Sequence, residues 1–358
     1  GNRGVVLSAT YEAREFGVHS AMPMSRARRM CPQAVVIAPD HRHYSRVSAG
    51  VMEIFASITD EMEPLALDEA FLDVSGATRR LGTPRQIGEL IRSRIHDEQG
   101  ITASVGASTT KFVAKLASTR AKPDGLLVIP AREIVAFLHP MKVGALWGVG
   151  ERTEEQLHRL GLRTVADIAG TPATTLERAL GPALGRHLFE LSWGRDPRRV
   201  QAAESERSIG AEETFPQDVD DLEVVGQEVL RLSEKIAVRL RRAGLTGRTV
   251  VLKVRFADFT TITRSRTVSG PLDVGRDIYL VAQELLDALG LQRARLRLVG
   301  VRVEGLRAES ESPRQLKLGA RDQGWREAEE AMDRAATRFG KDSVQPARLV
   351  RPRPWDSD

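Results

Sequence analysis

The sequence predicts an α+β protein built from several domains. Its 358 residues correspond to two or three domains at roughly 150 residues each. Residues 41–130 alternate helical patterns with short β-branched runs, the mark of an α/β layer. Residues 205–306 follow the order β-α-β-β-α-β, a split βαβ arrangement.

Taken in order, residues 1–40 carry two helix patterns, around YEAREFG and SRARRM, broken by SAMPM. HYSRVSAGVMEIFASI then reads as a helix, and PLALDEAFLDV as two short strands about a tight turn. PRQIGELIRSRIHDEQG is a helix ending at Gly100, ITASVGAS a strand, and KFVAKLASTR a helix. Residues 131–200 are helical and short-looped, punctuated by Gly148, Gly150, Gly161, Gly170, Gly181 and Gly185. In the next module RSIGAEETF is a strand and DLEVVGQEVLRLSEKIAVRLRRAGL a long amphipathic helix. TVVLKVRFADFTTITRSRTV is a hairpin, DVGRDIYLVAQELLDALG a second helix, and ARLRLVGVRVEGL a final strand. From Arg307 the chain turns polar, with ESESPRQ as a linker, an amphipathic helix near Trp325–Phe339 and a Pro/Arg-rich tail.

Composition narrows the class. With 41% hydrophobic and 28% charged residues, the chain matches globular proteins rather than disordered ones. No apolar run approaches the roughly 20 residues of a membrane helix. Residues 1–30, dotted with Arg, Glu and His, read as having no cleavable leader. The single cysteine, Cys31, excludes an internal disulfide framework and a cysteine-only zinc site, and fits a reducing cytoplasm. It reads as a small buried hydrophobe, with a reactive thiol as the alternative.

The charge is mildly basic, 53 Lys+Arg against 48 Asp+Glu. Only eight cations are Lys and 45 are Arg, a bias that a GC-rich genome also produces, so clustering carries more weight than abundance. Between Arg231 and Val303 there are 15 Lys/Arg against six Asp/Glu, a net of +9. That is the footprint of a nucleic-acid-binding module, the alternative being a solvated face. Strand alternation sets Lys253 and Arg255 opposite Leu252 and Val254, and places Thr260, Ile262, Arg264 and Arg266 on one face. A sheet whose open face carries such cations suits a DNA backbone.

Four motifs carry possible chemistry. Asp68 and Glu69 sit in an apolar frame whose Leu65, Leu67, Phe71 and Val74 are expected to bury the hairpin while the turn lifts both acids. Adjacent carboxylates are costly to bury without a cation. Mg²⁺ takes one or two such groups plus substrate phosphates. Taken alone the pair reads as a solvated turn, and Asp73 reads as a strand-end polar residue. Tyr11 and Arg14, at i and i+3, share a helix face that could grip phosphate, or simply meet solvent. Lys122 precedes the Pro123-Asp124-Gly125 turn, which fixes it at a helix end. In LWGVGERTEEQLHRLG, Gly148-Val149-Gly150 is a tight connection exposing N–H groups, and Thr153 with Gln156 forms a capping-box pattern. This reads as a helix-hairpin-helix that could hold phosphate, or as a plain helical hairpin.

Together, YEAREFGVHSAMP, LALDEAFLDVS, ITASVGASTTKFVAKLAS, AKPDG, LWGVGERTEEQLHRLG and the module containing TITRSRT resemble the Y-family DNA polymerases, in particular the bacterial DNA polymerase IV type. The pieces occur in family order over roughly residues 1–306. The resemblance implies fingers at 1–40, a ferredoxin-like palm at 41–130 and a helical thumb with the helix-hairpin-helix at 131–203. It further implies a little finger at 204–306, then a linker, helix and tail at 307–358. By motif match Asp68 becomes a metal ligand, Glu69 a second ligand or the catalytic acid, and Tyr11, Arg14 and Lys122 the triphosphate grip. Gly148, Gly150, Lys253, Arg255, Arg264 and Arg266 become DNA contacts.

The implied reaction is transfer of a nucleotidyl group from dNTPs to the 3′-OH of primer-template DNA, using two Mg²⁺ per active site. It would be error-prone and able to pass damaged template, carried out by a monomer in the bacterial cytoplasm at the nucleoid. Family members open with a strand reading roughly hVDMDxFF, which supplies another metal-binding Asp and an aromatic sugar gate. The printed chain starts at Gly1, past that segment, so it is expected to be catalytically crippled while its full-length parent is an active DNA-directed DNA polymerase. A clamp-binding QLxLF-like peptide is degenerate here, because Gln315-Leu316-Lys317-Leu318 is followed by Gly319. A non-catalytic DNA-binding scaffold is the rival reading. A glycosylase or nuclease would leave the Asp68-Glu69 hairpin unexplained.

Overall fold

The computed structural model describes residues 3–201, 206–312, 324–340 and 343–350. Two short helices, α1 (Tyr11–Glu15) and α2 (Met24–Met30), open the chain. They close over Val6, Val18, Met22, Ala27 and Cys31. Cys31 is a free, buried thiol, so the small-hydrophobe reading holds. The chain divides into two compact units, Ile37–Glu204 and Gly1–Val36 with Ser205–Asp358.

In the first unit α3 (His41–Ile58) leads into the hairpin of β1 (Met62–Ala66) and β2 (Glu69–Leu72). A short α4 (Thr78–Leu81) and the long α5 (Pro84–Gln99) follow. Helix α5 starts and stops for local reasons. Thr83 and Gln86 form a reciprocal capping box, Pro84 occupies the first turn, and Gly100 ends the helix at φ 67°. Ile87, Ile91 and Ile95 then share one face and pack on Val51, Ile54 and Ile58 of α3.

Next come β3 (Val105–Ala107), α6 (Lys111–Arg120) and β4 (Leu126–Val128), with β3 and β4 parallel across the helix. The strand expected over ITASVGAS is thus only three residues long. The strands form two two-stranded sheets, β1-β2 and β3-β4, rather than one continuous sheet. Each short ladder closes on the hairpin or crossover adjacent to it in sequence.

The helices α7 (Ile134–Leu138), α8 (Glu151–Arg159), α9 (Val165–Gly170), α10 (Ala173–Leu180) and α11 (Pro182–Ser192) complete the unit. Their core of Leu138, Leu157, Ile168, Leu176, Leu188 and Leu191 continues into Phe112, Val113 and Ala117 of α6. Residues on both sides of position 130 therefore share one core.

The second unit contains β5 (Ser208–Val219), α12 (Leu222–Arg242), β6 (Leu245–Phe256), β7 (Thr261–Leu272), α13 (Gly275–Asp287) and β8 (Leu296–Glu304). The expected β-α-β-β-α-β order is present. Strand order is β5-β8-β6-β7, all antiparallel, and β9 (Arg307–Ala308) adds to β6. Val250, Leu252 and Val254 of β6 and Val299, Val301 and Val303 of β8 meet Val225, Val229, Ile236 and Leu240 of α12. Arg3 ties the opening segment to this unit, donating to Phe215 O at 2.8 Å and pairing with Asp218 at 2.7 Å.

The helix expected near Trp325–Phe339 is α14 (Trp325–Phe339), and it docks through buried charge. Arg241 of α12 pairs with Glu329 at 2.6 Å and Asp333 at 2.8 Å. Glu329 in turn accepts the N–H groups of Gly275 at 2.8 Å and Arg276 at 3.2 Å, capping α13. Arg326 adds pairs to Asp273, Glu309 and Glu330.

One carboxylate in this network is in excess. Burial first, then the charge of Glu329 against the counter-pull of Arg241, pushes the Glu234 carboxyl up to about 7. The native state holds this proton to higher pH than the unfolded chain. Its contribution to stability is therefore greatest in acid and is lost as pH rises through about 7. Glu234→Gln should match the parent's thermal midpoint near pH 5 and exceed it at pH 8. A difference independent of pH would contradict the assignment.

Candidate active site and nucleic-acid interface

The hairpin register is Met62↔Leu72, Glu63↔Phe71, Pro64↔Ala70 and Ala66↔Glu69, with Leu67 and Asp68 in the turn. Asp68 occupies the tip and Glu69 opens β2, both exposed. Only part of the expected apolar frame is buried. Phe71 is 8% exposed, whereas Leu65 and Leu67 are 39% and 50% exposed. The hairpin packs through one face near its base, and its tip is tethered by backbone instead. Ser48 Oγ of α3 donates to Leu67 O at 2.5 Å.

Lys115 of α6 faces Glu69, with Nζ 2.6 Å from Oε2. No described side chain pairs with Asp68. One turn back on α6, Lys111 donates to both oxygens of Glu63, the nearer contact being 2.5 Å. Burial alone would raise the Glu63 carboxyl, but Lys111 and the Gln201 N–H outweigh it and hold it below the ordinary glutamate value. The 111/115 spacing of i, i+4 was the sequence signal for this pair of lysines.

An aromatic stack backs the hairpin. Trp147 lies against Phe71 with centroids 6.1 Å apart and planes at 28°. Lys111 lies 5.2 Å from the Phe71 ring, while Lys115 and Arg198 lie 5.5 and 4.7 Å from Trp147. Arg198 is itself held by a bidentate pair to Asp196 at 2.7 and 2.8 Å. Sequence reading missed Glu63, Lys111, Lys115, Trp147 and Arg198, because their association depends on how α6 meets the hairpin.

The other expected residues are placed as follows. Lys122 is exposed just past the end of α6, about 10 Å along the helix axis from Lys115 at 1.5 Å per residue. Glu69 therefore pairs with Lys115, not with Lys122. Asp73 turns back onto Ser75, whose N–H it accepts at 2.9 Å and which lowers its pKa, consistent with a strand-end role. In the other unit Tyr11 and Arg14 do share a face, the guanidinium lying 5.8 Å from the ring centroid. Arg14 Nε donates to Ala9 O at 3.0 Å, and the residue is exposed.

Gly148 takes φ +94°, and a Cβ at Gly148 or Gly150 would meet no atom within 4 Å, so this turn is open to a ligand. The capping box expected from Thr153 and Gln156 is not formed. Helix α8 begins earlier, with Gly150 as its N-cap and no side-chain cap, so Thr153 lies within the helix. Glu151 and Glu154 already complement the positive end of its dipole.

The four cations of the sheet do not share one face. Antiparallel partners point to the same side, and Leu252↔Arg264 and Val250↔Arg266 pair across β6 and β7. Arg264 and Arg266 therefore project on the helix side of the edge strand, where Arg266 pairs with Glu284 of α13. Lys253 and Arg255 lie on the opposite face, Lys253 with Glu212 at 2.7 Å and Arg255 with Thr261 at 3.0 Å. The hairpin register, which alternation within one strand does not fix, decides this. The Gln315–Leu318 peptide lies outside the described residues.

The donor chemistry at the hairpin tip fits a hard divalent cation, since Asp68 and Glu69 are exposed carboxylates on consecutive residues, Glu69 being engaged through Oε2 by Lys115. Among the described residues no group of three or more His, Cys, Asp or Glu is gathered for a metal.

The chain matches family models described as the impB/mucB/samB family over residues 1–119 and its C-terminal domain over residues 206–318. A third, the DNA polymerase-iota thumb domain, matches residues 144–196. It is 45% identical over 308 residues to a protein named DNA polymerase IV from Streptomyces coelicolor, covering 86% of this chain and 64% of that one. A DNA polymerase IV from Alkalilimnicola ehrlichii is 44% identical over 305 residues, covering 85% of each chain. One from Desulfatibacillum aliphaticivorans is 40% identical over 98% of this chain and 88% of its own. Among solved structures a Y-family DNA polymerase chimera superposes with a TM-score of 0.75 at 24% identity, over 85% of this chain and 88% of that one. DinB from Sulfolobus solfataricus gives 0.56 at 25% identity, over 85% and 89%.

The aromatic stack yields a stability test. Trp147→Ala should cost about 3 kcal/mol, measured as a lower denaturant midpoint for unit Ile37–Glu204. An unchanged midpoint would mean that the stack does not hold the hairpin.

Proposed function

Because this chain belongs to the Y-family DNA polymerases of the DNA polymerase IV type, we propose that it performs template-directed, error-prone translesion DNA synthesis, extending a primer 3′-OH with deoxynucleotides. The observation that carries this reading is the exposed Asp68-Glu69 tip, tethered by Ser48 and backed by Lys115 and the Phe71–Trp147 stack. On this reading residues 1–40 are fingers, 41–130 palm, 131–203 thumb and 204–306 little finger.

Asp68 and Glu69 would hold Mg²⁺ through their carboxylate oxygens. When bound, the metal supplies Lewis-acid polarisation of phosphoryl oxygens. The chain's own residues do the positioning. Lys115 orients Glu69 through its contact with Oε2. In one unit the Arg14 guanidinium and the Tyr11 hydroxyl are donors for phosphate oxygens, and in the other Lys122 is a point charge for phosphate. An insertion ternary complex is known for Dbh DNA polymerase, whose chain superposes with a TM-score of 0.58; DNA and nucleotide are the partners inferred here.

Lys253, Arg255, Arg264 and Arg266 grip primer-template phosphates from two sides of the sheet. The pairs Lys253–Glu212 and Arg266–Glu284 are solvent-exposed. Such pairs contribute little, so phosphate can displace the carboxylates.

Two tests follow, both on the full-length protein. Asp68→Ala should abolish Mg²⁺-dependent primer extension while DNA affinity stays within about twofold; retained extension would remove Asp68 from the site. Arg264→Ala with Arg266→Ala should weaken binding to all sequences alike and shallow the salt slope by on the order of one unit per lost contact. A loss confined to one sequence would contradict backbone gripping.

A further inference from the structure

Phe259 serves neither the core nor the turn that holds it. It sits between β6 and β7 with 62% of its surface exposed. Three residues earlier Phe256 already packs on the core from this end of the sheet. Phe259 takes φ +67°, a left-handed backbone that glycine or asparagine would adopt more readily than an aromatic residue.

The surroundings hold the turn firmly. Phe259 N–H donates to Phe256 O at 3.0 Å, and Asp258 accepts the Thr260 N–H at 2.8 Å. Ala257 N–H donates to Arg295 O at 3.0 Å, pinning the tip to the start of β8. The Arg297 guanidinium lies 4.4 Å from the Phe259 ring centroid, so one ring face has a cation and much of the ring remains open to solvent. The register brings Arg255 opposite Leu298 and Phe256 opposite Leu296, gathering Arg255, Arg295 and Arg297 at this end of the sheet. Exposed Arg293 precedes them, also at a positive φ of 52°. The carboxylates nearby are engaged, Asp258 by the Thr260 N–H and Asp218 by Arg3.

We propose that Phe259 is a stacking platform for an unpaired base of single-stranded DNA, with Arg297 on the ring and Arg293 and Arg295 meeting the flanking phosphates. The inference rests on the polymerase reading above and adds to it a strand that the duplex grip does not explain. Inside a duplex both faces of each base are covered by neighbours, so a protruding ring finds a free base face only on an unpaired segment. The sequence-tolerant pairing of aromatic stacking with a cationic groove is the usual way to hold single strands. A template-directed enzyme meets such a segment in the template beyond the primer end.

The test compares affinity of the full-length protein for a blunt duplex and for the same duplex carrying a 5′ template overhang with 2-aminopurine. The parent should prefer the tailed duplex and change the 2-aminopurine emission. Phe259→Ala should lose roughly tenfold on the tailed duplex and nothing on the blunt one, whereas Phe259→Trp should keep the preference. Phe259→Leu should behave like the alanine variant, since an aliphatic chain has no ring face. Phe259→Gly should raise the thermal midpoint by relieving the positive φ and still lose the preference. Equal losses on both substrates, no loss at all, or full retention by Phe259→Leu would overturn the proposal. A parent that binds duplex without any tail preference would also overturn it. A parent that binds neither DNA would instead refute the polymerase reading on which it rests.

Discussion

The Ile37–Glu204 unit depends on one contact, the pairing of α6 with the acidic β1–β2 hairpin through Lys115–Glu69 and Lys111–Glu63. The hairpin leaves Asp68 and Glu69 in solvent, where their charge is least costly, and α6 brings Lys115 against Glu69. One helical turn back, Lys111 neutralises Glu63 of the opposite strand. A single helix face thus fixes the charge balance on both strands. Trp147 stiffens the arrangement, since Phe71, Lys115 and Arg198 all contact its ring. The core that α6 shares with α7–α11 keeps the two lysines in place.

The other unit uses charge differently. Its buried pairs, Arg241 with Glu329 and Asp333, bind α14 to the sheet domain and complete the cap of α13. Breaking such a pair leaves an unpaired charge inside, so these contacts are structural. The pairs at the surface, Lys253–Glu212 and Arg266–Glu284, are of low net worth and exchangeable. Burial therefore separates cations that hold the fold from cations that are free to meet a polyanion.

Local signals were legible in the sequence, and long-range placement was not. The bounds of α5 follow from Thr83, Pro84 and Gly100, which act within a turn of where they stand. The β-α-β-β-α-β order and α14 follow from periodicity. The face of Arg264 and Arg266 was misjudged because it depends on β6–β7 register across a turn whose Phe259 takes a positive φ that nothing in the sequence announces. The cap of α8 was misplaced because Thr153 and Gln156 imitate a capping box, whereas Gly150 already starts the helix. At the acidic hairpin the candidate acids were visible by adjacency, but Lys115, which pairs with Glu69, and Trp147, which stacks on Phe71, come from distant parts of the chain. Tertiary packing alone brings those groups together.

The central claim is that the Asp68-Glu69 tip forms a cation-dependent nucleotide site. Nucleotide affinity, measured without chemistry on a dideoxy-terminated primer-template bound to the full-length protein across a Mg²⁺ titration, tests it most directly. The account predicts that dNTP binding tightens as Mg²⁺ rises, and that Glu69→Gln flattens this dependence while leaving DNA affinity intact. An identical Mg²⁺ dependence in parent and variant would contradict it.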